Sequence, residues 1–139
     1  MKCMKLLLLS LLSLVSYGVF PQSGRSILYE DVLERVINKR EQHRDIDTLY
    51  IMNTSEELSK LPHVVNGVHI RLLDADQIFG SFIKIKIKEP KKKCVEVYVT
   101  DFIKEPNENL VGNYGTSLYV YKVKHRTSYK LKEIKRFGI

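Results

Sequence analysis

Lys84, Lys86 and Lys88 alternate with Ile83, Ile85 and Ile87, and Lys122, Lys124, Lys130 and Lys132 repeat the two-residue spacing near the other end of the chain. In an extended strand successive side chains point to opposite faces, so this spacing gathers each set of ammonium groups on one side. A row of that kind suits an anionic ligand, because like charges set opposite one another on a sheet cost stability that a bound anion offsets. Lysine on a strand also has a plainer use, which is to keep an exposed face soluble and to discourage edge pairing. Both readings expect the seven lysines to share one sheet face.

Other reactive residues are few. His63 and His69 flank Asn66-Gly67, and a tight turn there would bring them close enough to act as an acid–base pair or, with an acid, to hold zinc. Asp74 and Asp76 lie in a turn. Cys94 follows three lysines, a setting that favours the thiolate. No oriented base for it is apparent, so no catalytic residue is assigned, and no cofactor or metal is implied.

The elements that must position these groups follow from periodicity. Leu28, Val32, Leu33, Val36 and Ile37 form one stripe of a 3.6-residue repeat, which predicts an amphipathic helix from Ile27 to about Gln42, capped by Ser26. Thr48 to Met52 reads as a strand, and Asn53 to Lys60 as a brief helix stopped before Pro62. Asn66-Gly67 marks a hairpin turn between two valine-rich segments. Asp74 to Gly80 forms a turn or a single helical turn. Ser81 to Val99 then predicts a hairpin with a loop at Glu89 to Lys93, in which Lys88 faces Cys94, Ile87 faces Val95 and Lys86 faces Glu96. Lys104 to Thr116, with its glycines, asparagines and Pro106, reads as a loop. A last hairpin pairs Lys124 with Lys130 and Lys122 with Lys132, with a bulge near Glu133 bringing Ile134 into line. The expected fold is α+β: an N-terminal amphipathic helix packed on a curved, mainly antiparallel sheet.

Residues 1–18 carry the three parts of a secretory signal. Lys2 and Lys5 precede the apolar run Leu6 to Val15, and small residues follow near Gly18. The run is shorter than the roughly twenty residues a membrane helix needs. Residues 19–25 are read as a flexible leader and 26–139 as a single domain, exported to the periplasm or secreted, with no transmembrane segment. Removing the signal takes two of 23 basic residues and none of the 16 acids, leaving 21 against 16, or +5. Cys94 is then alone, so no intramolecular disulfide is expected. Nucleic acid fits poorly as a partner, because the charge is modest, the location is wrong and no recognised motif is present.

His63-Val64-Val65-Asn66-Gly67-Val68 resembles the first inhibitory hairpin of cystatins, a Q-x-V-x-G motif, and helix-then-sheet order is similar to cystatin and NTF2-like rolls. The resemblance implies such a roll. His63 stands where cystatins have glutamine, and the chain has no tryptophan for their second hairpin, so protease inhibition is the third of three functional readings. In layout the chain also resembles small exported α+β proteins of Gram-negative bacteria. The first reading is a non-enzymatic domain that binds a protein partner or an anionic envelope component, a lipid or polysaccharide. Its contact would be the lysine face or the Lys104 to Thr116 loop. The second reading is a small secreted hydrolase or nuclease using His63 and His69.

Overall fold

A computed structural model describes residues 25–106, 111–125 and 128–138. The predicted signal and nearly all of the leader lie outside the described residues. One helix, α1 (residues 25–41), precedes seven strands: β1 (Thr48–Met52), β2 (Val64–Val65), β3 (Val68–Leu73), β4 (Gly80–Lys91), β5 (Cys94–Lys104), β6 (Val111–His125) and β7 (Ser128–Phe137). The fold is α+β, with one mixed sheet in the order β2-β3-β1-β4-β5-β6-β7.

α1 buries Leu28, Val32, Leu33, Val36 and Ile37, the stripe its periodicity marks, and adds Tyr29. Arg25 and Ser26 are already helical, so Ser26 is not the cap. These residues join Leu49 and Ile51 of β1, Ile83 and Ile85 of β4, Val95, Val97 and Val99 of β5, and Tyr119 and Tyr121 of β6 in one apolar cluster. Strand alternation explains the membership, since each of these strand residues sits two positions from the next on the same face.

Four of the six strand pairings are antiparallel, in line with the mainly antiparallel expectation, and two are parallel. β1 lies between β3 and β4 and runs parallel to both, in register Thr48↔His69 to Met52↔Leu73 on one side and Ile51↔Ile83 on the other. The cause is the Asn66-Gly67 turn, where both residues have positive φ, 49° and 78°, so β2 and β3 close as a two-residue hairpin. β2 thus runs against β1, and β3 returns along it. The chain must then cross β1 to start β4 on the far side. It does so through a 3-10 turn at Ala75–Gln77, capped reciprocally by Asp74 and Gln77. Leu73, Ile78 and Phe82 pack there with Tyr50, Met52 and Phe102 in a second, smaller core on the face away from α1.

Both long hairpins keep the predicted faces and shift the predicted pairs by two residues. In the first, Ile85 faces Val99, Ile87 faces Val97 and Lys88 faces Glu96. The expected five-residue loop contracts to Lys92-Lys93, with Lys93 at φ 64°, and a bulge at 89–90 absorbs Pro90. In the second, Lys122 faces Lys130, Tyr121 faces Leu131 and Val123 faces Tyr129. The anticipated bulge does form there: the ladder skips Lys132 and sets Ile134 opposite Tyr119. The predicted Lys104 to Thr116 loop is also corrected, because β6 starts at Val111 and pairs with β5 out to Lys104. Gly115, at φ 113°, accompanies the register shift that lets strand continue through glycine-rich sequence.

Ile51 is fully buried and Lys86 is exposed. Ile51→Ala is therefore expected to cost about 2–5 kcal/mol of unfolding free energy, and Lys86→Ala to stay within about 0.5 kcal/mol. Urea titrations followed by circular dichroism check both values.

Candidate functional site

The sheet has two unlike faces beyond β1. One is covered by the α1 cluster. The other carries the even-numbered residues of β4 and β5 and has no helix against it among the described residues. One rung across this open face runs Lys88, Glu96, Val120 and Glu133, the next Lys86, Tyr98, Leu118 and Lys135, and the end rung Lys91, Cys94, Lys122 and Lys130. The structure thus brings Lys84, Lys86, Lys88, Lys122 and Lys130 together. Lys124 and Lys132 fall at register shifts where the ladder skips them. Lys91 and Lys135 take places that parity alone did not reveal, because each depends on a bulge.

Few acids sit among these lysines. Glu96 accepts a hydrogen bond from the Tyr98 hydroxyl at 2.7 Å, which raises the tyrosine pKa. Glu133 lies 3.7 Å from Lys135 Nζ, both half exposed, a geometry worth little in water. Lys88 Nζ stands 5.1 Å from the Tyr98 ring centre and Lys84 Nζ 4.9 Å from that of Phe102. Lys84 is therefore partly engaged by the stacked Phe82–Phe102 pair of the second core. Lys86, Lys88, Lys122 and Lys130 are exposed. Leu118, on the rung between Tyr98 and Lys135, is buried although no described element covers that face.

The other candidates disperse. His69 pairs with Val64, whereas His63 offers its carbonyl to the Ile70 amide at 2.8 Å. Both histidines are exposed and neither lines the two main cavities. No cluster of three potential metal ligands exists among the described residues. Cys94 is half-buried and free, on the end rung between Lys91 and Lys122.

A cavity of about 240 Å³ opens between the last turn of α1 and β5–β6, lined in part by Lys39, Arg40, Asp101 and Tyr119. Asp101 occupies a core-face position opposite Ile83, and Arg40 Nη2 donates to its Oδ1 at 2.5 Å. Burial, then the charge of Arg136, lowers the Lys39 pKa. A second tie lies further up the helix. Tyr121 donates to Asp31 Oδ2 at 2.6 Å, and Arg35 Nε donates to the same oxygen at 2.9 Å. Burial first and the Asp31 hydrogen bond second raise the Tyr121 pKa strongly. These groups hold the helix to the sheet. The irregular Asp101 in the run Val95-Val97-Val99 was the sequence signal for one of them.

Compared with family models, curated proteins and solved structures, the chain matches none. No helix among the described residues is long and apolar enough to cross a membrane.

Arg40→Ala should cost roughly 1–3 kcal/mol, since it strands a half-buried carboxylate, and a double-mutant cycle with Asp101→Ala should recover most of that loss as coupling. Tyr29 is held neutral up to about 12 from an ordinary 10.0, by burial first and the Glu57 charge second. A raised tyrosine pKa gives stability that is whole below the unfolded value and is lost as pH rises to the folded one. Unfolding free energy should then fall between pH 10 and 12, and Tyr29→Phe should flatten that fall. Urea midpoints at stepped alkaline pH provide the measurement.

Proposed function

We propose that this chain is an exported, non-enzymatic binding domain whose open β4–β7 face docks an anionic component of the cell envelope. Acidic lipid headgroups and acidic polysaccharide share the chemistry it would recognise. The observation that carries the reading is the end rung, where Lys122 stands directly opposite Lys130 with Lys91 two strands away. Directly opposed like charges destabilise a sheet by up to about 1 kcal/mol. A face selected only for solubility gains by placing a glutamate at one of them, and the neighbouring rung, with Lys88 facing Glu96, has that arrangement. The architecture proposed with this function is the cystatin/NTF2-like roll, supported by the cluster that α1 shares with the sheet, with the parallel β1 as a departure from it. The hydrolase reading built on His63 and His69 gains no support from their exposed hairpin.

Lys130→Glu tests the proposal through opposite effects on stability and binding. It should stabilise the fold by a few tenths to about 1 kcal/mol. Lys122→Glu/Lys130→Glu together should weaken attachment to anionic vesicles, or to an acidic polysaccharide, by roughly 30-fold or more, at about 1 kcal/mol per lysine. Attachment of the wild type should fall steeply between 0.05 and 0.5 M salt, on the order of the screening expected for exposed charges. Cosedimentation with anionic and zwitterionic vesicles, and a polysaccharide titration alongside, separate the two sources. Attachment that ignores both salt and the double reversal overturns the proposal.

A further inference from the structure

β1 pairs with β4 at Ile51↔Ile83 and ends at Met52. From Lys84 onward β4 keeps β5 on one side and has no strand on the other among the described residues. The space that β1 would fill if it ran on is a cavity of about 640 Å³, whose walls include Thr54 and Ser55 beyond β1, Tyr29 of α1, and Ile85 and Ile87 of β4. Pro90, which has no N–H, ends the usable edge. The free stretch Lys84–Glu89 is six residues, or roughly 20 Å at strand spacing. On a strand paired on one side, every second residue turns its N–H and C=O outward.

We propose that this free edge is a docking site for an extended segment of another protein in which acidic and apolar residues alternate, added to the sheet beside β4. Main-chain hydrogen bonds would supply the attachment and the alternation its specificity. Side chains on one face of the guest strand meet Ile85, Ile87 and Tyr29, which calls for apolar residues. Those on the other meet Lys84, Lys86 and Lys88, which calls for acids. A second copy of this chain is a poor guest. Antiparallel pairing of the edge with itself, isoleucines matched on one face, sets lysine against lysine on the other. Arg25 spans the groove, donating to Glu57 at 2.6 Å and Glu89 at 3.0 Å. All three side chains are about a third or more exposed, so this clasp can open at little cost. The site shares Lys84, Lys86 and Lys88 with the open face, and it differs from that reading in using the β4 backbone and not Lys122 or Lys130.

The experiment uses a synthetic peptide of alternating glutamate and valine, with lysine–valine and scrambled peptides of equal length. The glutamate–valine peptide should slow amide exchange in 84–89 by about tenfold or more while leaving β7 unchanged. Lys86→Glu/Lys88→Glu should weaken its binding by about tenfold or more and turn the preference toward the lysine–valine peptide. Lys122→Glu/Lys130→Glu should alter affinity by less than about twofold, as expected of distant sites. Absence of protection at 84–89, equal binding of the scrambled peptide, or protection of 84–89 by self-association without peptide would each overturn the proposal.

Discussion

The isoleucines of β4 and the valines of β5 form an apolar surface that cannot stand in water, and α1 is what covers it. Every other feature of the domain adjusts to that requirement. The helix presents a stripe of six buried residues to the sheet, and its polar flanks are tied to specific strands by Asp31 with Tyr121 and by Arg40 with Asp101. Hydrophobic contact is non-directional and leaves a helix free to slide. Charge-assisted hydrogen bonds are directional, so these pairs fix where along the sheet the helix rests.

Covering one face leaves the other to manage itself. At the β1 end, the crossing from β3 to β4 lays Leu73 and Ile78 over Tyr50, Met52 and Phe82 and closes a second core. Past that crossing no described element shields the even-numbered residues, and exposed lysines take the place of a second layer. The early end of β1 at Met52 leaves β4 with an unpartnered edge among the described residues. The edge proposal thus descends from one topological fact, the short parallel strand inserted between β3 and β4.

Much of this was readable from residue order. The Asn66-Gly67 turn, the helix stripe and the inward faces of both long hairpins follow from local rules, because each depends on neighbours within a few positions. Pairing partners did not follow. A shift of two residues keeps every side chain on its face, so the alternation of Ile83 to Lys88 is equally satisfied by Glu96 opposite Lys86 or opposite Lys88. The tight Lys92-Lys93 turn and the bulge at Pro90 chose between them. His63 and His69 were close in sequence, and the hairpin register set them beside different partners.

The sequence by itself determined which side of each strand is core, where the helix lies and that two segments of lysine would face outward. Those properties rest on periodicities of two and 3.6 residues, which a chain carries before it folds. Only the tertiary structure decided that β1 is parallel and stops at Met52, that Asp101 finds Arg40, and that Lys91 and Lys135, not Lys124 and Lys132, join the ladder across the open face. Register and strand order depend on contacts between residues far apart in the chain, whose energies are compared only when the whole sheet assembles.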